Sequence, residues 1–288
     1  MSAVISVLEL DNVSFRYPDG GVGLDGCSLA IRRGSRNALI GANGSGKTTL
    51  FQHCNGLLRP PSGVVRYAGA ALDYSRGGLR QLRSKVGMVF QNPDHQLFSA
   101  SVQEDVSFGP INLGLDEVTV RRRVGEALRL VGMSGYADKA VHNLSFGQKK
   151  RVCIAGVLAM DPELLVLDEP MAGLDHAMRT ELLAVLDGLH ERGITLLLAT
   201  HDIDFAFRWA ERIHLMAAGR CTASLEAADL ADCGGALSAL GLPMPTVVAL
   251  HRQLVAQGLF PNGRAPRTHG ELLALLETTN HGKEAACR

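Results

Sequence analysis

The chain has 288 residues, with 29 basic and 29 acidic side chains and no net formal charge. That length can bury one large core with a small unit beside it, and the charge balance sets up no field that would draw nucleic acid or anionic lipid. Apolar residues reach 46% but fall in short runs, Ile154 to Met160 and Ile194 to Ala199 being the longest, so no segment reads as a membrane span.

Met1 to Leu10 lacks the basic start and apolar block of a secretory leader. Residues 4 to 17 and 24 to 33 alternate apolar and polar side chains, which predicts two strands joined by a glycine-rich turn. Tyr17 closes the first strand; it is either an ordinary strand-end tyrosine or an aromatic able to stack on a base. Ala38-Leu39-Ile40 then leads into Gly41-Ala42-Asn43-Gly44-Ser45-Gly46-Lys47-Thr48, followed by Thr49-Leu50-Phe51. Strand, glycine-rich loop and helix in this order form a phosphate-binding loop. Its glycines let the backbone N–H groups turn inward, and the helix start adds a partial positive charge. Lys47 is suited to the β and γ phosphates and the Thr48 hydroxyl to magnesium, so the chain is read as binding a nucleoside triphosphate.

Residues 63 to 68 and 85 to 90 read as further strands, the second ending at Gln91. From 101 to 160 the period becomes helical, with a solvated face over Arg121 to Leu130. Ser145-Phe146-Gly147-Gln148 is a capping box, so a helix starts there. The buried strand Leu164 to Leu167 delivers Asp168 and Glu169 at its C-terminal end, where open parallel sheets bind ligands. One carboxylate suits magnesium together with Thr48; the other suits activation of the water that attacks the γ-phosphate. A helix over 176 to 191 and strands over 194 to 200 and 212 to 217 complete a parallel sheet apolar on both faces, with His201 just after a core strand. Beyond about residue 224, helical stretches are separated by Pro243, Pro245, Pro261 and Pro266, and from about 280 a polar, frayed end is expected. The six scattered cysteines contain no Cys-x-x-Cys, which reads as reduced thiols in a cytosolic setting.

The ordered set of phosphate loop, Gln91, Leu144-Ser145-Phe146-Gly147-Gln148, Asp168-Glu169, Gly173-Leu174-Asp175 and His201 resembles the ATP-binding cassette (ABC) family as far as about residue 220. The resemblance implies an α/β fold of the P-loop NTPase type: a RecA-like core, an antiparallel β subdomain and an inserted helical subdomain over about 92 to 160. The nucleotide-binding domain would span 1–224, with a small helical C-terminal region over 225–288. It also implies roles. Tyr17 corresponds to the adenine-stacking aromatic, and Gly41, Asn43, Gly44, Ser45, Gly46, Lys47, Thr48 and Thr49 to the loop around the phosphates. Thr48, Gln91 and Asp168 correspond to the magnesium site, Glu169 to the catalytic base and His201 to the γ-phosphate contact. Ser145, Gly147, Gln148 and Asp175 correspond to residues that meet the partner's ATP across a homodimer seam. Phe146 departs from the family, standing where the first of two signature glycines is expected.

A closer likeness lies in Gln91-Asn92-Pro93-Asp94-His95-Gln96-Leu97-Phe98, Glu104 to Pro110, Gly147 to Val152 and Gly241 to Pro245. These resemble the ATPase subunits of energy-coupling-factor importers, particularly the cobalt type (CbiO-like). The implied activity is conversion of ATP and water to ADP and phosphate with Mg2+, coupled to import of cobalt or nickel. The implied partners are a second copy of the chain, a transmembrane energy-coupling subunit and a membrane substrate-binding subunit, at the cytoplasmic face of the membrane. A vitamin-importing relative, a non-transport cassette ATPase and a nucleotide-binding regulator without turnover are the alternatives. Long coiled-coil insertions and a second phosphate loop, which mark non-transport cassettes, do not occur in the sequence, and no basic stripe suggests nucleic acid.

Overall fold

The computed structural model describes residues 6–260 and 262–286; Pro261, Cys287 and the first residues of the Met1 to Leu10 stretch lie outside them. The chain opens with β1 (Ser6–Arg16) and β2 (Val22–Arg32), then β3 (Arg36–Ile40) and α1 (Lys47–Cys54). Next come β4 (Ser62–Tyr67), β5 (Ala70–Ala71), α2 (Arg76–Lys85) and β6 (Val86–Val89). Three helices follow: α3 (Val102–Asn112), α4 (Glu117–Leu130) and α5 (Phe146–Leu158). The chain then alternates through β7 (Leu164–Asp168), α6 (His176–Glu191), β8 (Thr195–Thr200), α7 (Ile203–Trp209) and β9 (Arg212–Ala217). It ends in β10 (Arg220–Glu226), α8 (Gly234–Ala239), α9 (Thr246–Ala256) and α10 (His269–Ala286).

Two sheets result. A four-stranded antiparallel sheet has the order β2-β1-β4-β5, and a six-stranded sheet the order β10-β9-β3-β8-β7-β6. From β9 to β6 the larger sheet is parallel. Its strands are mostly apolar and buried at nearly every position because both faces are covered. Ala38, Ile40, Leu165, Leu167, Leu196 and Leu198 join the helices of one side, while Leu39, Leu164, Val166, Leu197 and Ala199 face α1 and the antiparallel sheet. The phosphate loop therefore leaves a strand that is clamped on both faces.

The parallel sheet expected from the sequence is extended at one edge by β10, which pairs antiparallel with β9 and makes the whole sheet mixed. Ala218 and Gly219 both take positive φ, 47° and 76°, the geometry of a tight two-residue hairpin. Beneath this hairpin the buried His214 lies between Ser224 and Asn37, at 2.8 and 3.2 Å. Asn37 gives its amide N–H groups to Ser35 and Leu196, so its carbonyl oxygen accepts from His214 Nε2–H, and Nδ1 accepts from Ser224. Burial drives the His214 pKa down to about 3, so the ring is neutral.

Four elements have no counterpart in the sequence reading. α2 carries two glycines and buries only Leu82, β5 is two exposed alanines, β10 is mostly small and polar, and α7 has only seven residues. α10 runs on through Ala286, beyond the expected fraying point.

The last helices dock on α7. Asp204 accepts from Thr246 N and Oγ1 at 2.6 and 2.8 Å. The Arg267 guanidinium donates to the carbonyls of Phe207, Arg208 and Ala210 at the C-terminal end of α7. These carbonyls are the groups a helix end leaves without an internal partner. Val247, Val248, Phe260 and Leu272 join the same apolar cluster as the sheet.

Candidate nucleotide site

At Gly41 an added Cβ would lie 2.3 Å from the Met216 carbonyl oxygen, and at Gly46, where φ is 103°, 2.5 Å from that of Gly23. Only glycine lets the loop bend this tightly against its neighbours. α1 begins at Lys47 with no side chain capping its first N–H groups. A helix start left open in this way attracts an anion. Lys47 folds back over the loop and donates to the carbonyls of Gly41 and Ala42 at 2.7 and 3.1 Å. Burial lowers its pKa, against the opposing pull of Glu169 and Asp168.

β7 brings Asp168 to the same place. The Thr48 hydroxyl donates to Asp168 Oδ2 at 2.7 Å, and desolvation raises the Asp168 pKa. Glu169 is buried with a left-handed backbone, φ 46°. Its carboxylate meets His201 Nδ1 at 3.1 and 3.2 Å, and the His201 ring stays largely exposed. The two adjacent carboxylates thus have different partners: a hydroxyl for one, an imidazole for the other.

These groups border one cavity of about 570 Å³, lined by Tyr17, Asn43, Gly44, Gly46, Lys47, Thr48, Thr49, Gln91, Asp168, Glu169 and His201. Val22 and Gly23, which carry no chemical signal in the sequence, complete the wall. Tyr17 is held by a 2.9 Å hydrogen bond between its hydroxyl and Thr49 Oγ1, and its ring meets Phe15 edge-on at 5.1 Å. Gly41 and Ser45 are not in the lining: Gly41 has its ideal Cβ position 2.5 Å from Ser45 Oγ, and Ser45 is buried.

Ser145, Gly147, Gln148 and Asp175 are not in this cavity. The expected capping box is present: Ser145 Oγ accepts from Gln148 N at 3.3 Å and Gln148 Oε1 accepts from Ser145 N at 3.0 Å. Asp175 caps α6 by accepting from Met178 N at 2.8 Å. At Gly147 an added Cβ would sit 2.9 Å from Met178 Sδ, so α5 starts close against α6.

Lys150 has no role in the sequence beyond its place in the Gly147 to Val152 likeness. It is buried on α5, and its ammonium donates to the carbonyls of Glu169, Pro170 and Ala172 at 3.2, 2.7 and 2.8 Å. Desolvation lowers its pKa to about 8. The neighbouring lysine, Lys149, instead reaches Asp94 at 2.7 Å.

An uncapped helix start and a lysine folded over a glycine loop form a receptor for a polyphosphate, with a carboxylate–hydroxyl pair beside it. Residues 24–172 match the family model described as ABC transporter. An energy-coupling factor transporter ATP-binding protein, EcfA, from Methanothermobacter thermautotrophicus is 44% identical over 94% of this chain and 88% of its own length. The cobalt import ATP-binding protein CbiO of Rhodobacter capsulatus is 45% identical over 93% of this chain and 96% of its own. Among solved structures, cbiO1 from Clostridium perfringens, described as part of the ABC transporter complex cbiONQ, superposes with a TM-score of 0.74 at 42% identity, covering 86% of this chain and 99% of that one.

The chain therefore belongs to the ABC transporter family, as an ATP-binding protein that hydrolyses ATP for transport. Within that family it is an ATPase subunit of the energy-coupling-factor kind, similar to EcfA and CbiO. Among the described residues, no helix is long and apolar enough to cross a membrane.

Proposed function

We propose that this chain powers the import of a transition-metal ion, cobalt or nickel, through partner membrane subunits, working as an ATP-bound homodimer at the cytoplasmic face of the membrane. The observation that carries the metal is the 45% identity, over nearly the whole of both chains, to a protein named for cobalt import. Relatives named only for the energy-coupling factor carry no substrate in their names, and import of a vitamin is the second reading. The domain division is part of the same proposal, with residues 1–224 binding nucleotide and 225–288 forming a helical region.

In the proposed mechanism Lys47 and the open N–H groups of α1 bind the β and γ phosphates, while Tyr17 stacks on the base. Magnesium fits the donor set: Thr48 and Asp168 are hard oxygen ligands already in contact, and Asp168 is a carboxylate whose pKa burial raises. Thr48, Asp168 and Gln91 would hold it, and it would supply positive charge to the phosphate oxygens. Glu169 takes the proton of the attacking water, and His201, in contact with the carboxylate, orients toward the γ-phosphate. Ser145, Gly147, Gln148 and Asp175 serve the partner's nucleotide across the two-fold axis.

The docking surface assigned to a membrane subunit is a groove of about 600 Å³ bordered by Arg76, Arg80, Arg83, Phe98, Phe108 and Met160. Phe98 and Phe108 are exposed and meet edge-on at 4.7 Å. The test is to co-purify a tagged chain with its membrane subunits and measure uptake in cells expressing the set. Cobalt or nickel uptake that requires Glu169 supports the proposal. Uptake of a vitamin and no metal replaces it with the second reading.

A further inference from the structure

Three consecutive residues of α5 leave the helix toward three different elements. Lys149 pairs with Asp94 in the segment after Gln91, Lys150 enters the loop that follows β7, and Arg151 pairs with Glu181 on α6 at 2.8 Å. Of the three, Lys150 is the buried one. We propose that Lys150 is a positioning residue for the Glu169 carboxylate, fastening the loop that carries it to the start of the same helix that offers Ser145 to a partner.

Glu169 has a positive φ of 46°, a region that side chains other than glycine rarely occupy, so its neighbours must hold it there. The carbonyls of Glu169, Pro170 and Ala172 converge on a single point. Carbonyl dipoles aimed at one point repel one another unless a donor sits between them. An ammonium has three N–H donors and no acceptor, which matches the three carbonyls in number and polarity. Neither an apolar side chain nor a single hydroxyl could replace it.

Phe146 completes the arrangement. Its ring lies 5.2 Å from the Lys150 ammonium, close enough for a cation–π contact. The same ring packs over Gly173, where an added Cβ would come within 3.0 Å of it. The aromatic residue at the first signature position thus covers the cation and the far end of the same loop. A shift at the start of α5 is passed through one buried ammonium to the Glu169 backbone, and from there to the carboxylate beside His201.

This inference rests on the reading of Glu169 as catalytic base, so the experiment separates the two. Steady-state ATP turnover is measured for Lys150→Met, Lys150→Arg and Glu169→Gln in the full-length chain, with ATP affinity from titration calorimetry. Lys150→Met is expected to lower kcat roughly 10- to 100-fold, the scale of a misplaced catalytic group, while ATP affinity stays within about twofold on the same argument. Lys150→Arg, whose guanidinium can still donate to the carbonyls, should recover most of the loss. In the Glu169→Gln background Lys150→Met should slow turnover no further, because the group it positions is already gone. Near-normal kcat in Lys150→Met while Glu169→Gln is inactive overturns the inference and leaves the base in place. Parallel loss of ATP affinity and kcat overturns it too, since the lysine would then be a general scaffold. Normal turnover in Glu169→Gln removes the base, and this inference with it. If Lys150→Met does not fold, Lys150→Gln keeps N–H donors without the charge: a smaller kcat loss at unchanged ATP affinity supports the inference, and unchanged kcat overturns it.

Discussion

The nucleotide cavity and the start of α5 are built on opposite plans. The cavity is left open: α1 begins with no side-chain cap, and the desolvated Asp168 carboxylate accepts from the Thr48 hydroxyl. The start of α5 is closed on itself, since Ser145 and Gln148 satisfy each other's backbone N–H groups in a full capping box. An open terminus is poised for an anion; a capped one presents a finished surface and needs something brought to it. The difference fits the proposed division of labour, in which one face of each copy would bind ATP and the other would complete the site of a second copy.

The largest expected effect bears on the cavity alone. Glu169→Gln should keep ATP binding and lower turnover roughly 10²-fold or more, the usual contribution of a general base. Turnover near wild type would take Glu169 out of that role. Lys47→Ala removes the cation folded over the loop. Charge-assisted hydrogen bonds contribute about 1.5–3 kcal/mol each, so ATP affinity should weaken by about 10- to 100-fold or more in calorimetry. Wild-type affinity would show that the cavity does not hold phosphates through this residue.

The bed of the cavity should also respond to acid. His214 is neutral when folded, with its pKa lowered to about 3 from 6.5 by burial. Between those values the unfolded chain binds the extra proton, so the stability due to this group is lost as pH falls below about 6.5. The expected slope approaches about 1.4 kcal/mol per pH unit, which is tenfold in the folding equilibrium. Denaturant titrations of wild type and His214→Leu should differ in this slope, the variant being flatter; equal slopes would show that the His214 network does not control acid stability.

A mixing experiment joins the two plans. A Glu169→Gln chain and a Ser145→Arg chain should each be nearly inactive alone, but a mixed pair would have one site with both intact residues. With random pairing half of the dimers are mixed, so activity should recover to about a quarter of wild type by symmetry. No recovery in tag-selected mixed dimers that bind ATP at both sites would leave the cavity complete within one copy.

The smallest effect is expected at Asp94, which joins the start of α5 to the segment after Gln91 through Lys149. The pair is half exposed, so Asp94→Lys should change stability by less than about 1 kcal/mol. ATP affinity should be unaffected, while assembly with the membrane subunit weakens in pull-down assays. Cross-links that put Asn92 to Phe98 far from any transmembrane partner would reject this docking assignment.

What could be read from the sequence was local. Glycine spacing and an apolar lead-in define the phosphate loop, Ser-x-x-Gln defines the start of α5, and a buried strand ending in Asp168-Glu169 marks where the carboxylates emerge. These signals lie within a few residues of one another, so their physics is contained in the string. Packing decided the rest. α2 holds two glycines and buries one leucine, and β10 is polar and pairs through a two-residue hairpin, so neither has a strong period of its own. Lys150 is one of three adjacent cations in Lys149-Lys150-Arg151, and only the fold brings three carbonyls from residues about twenty positions away around it. Arg267 is the same case, spending its donors on the end of α7 some sixty residues earlier. A charge in a sequence has no direction; it takes one when the chain closes around it, because a buried ion must find partners wherever the backbone leaves them.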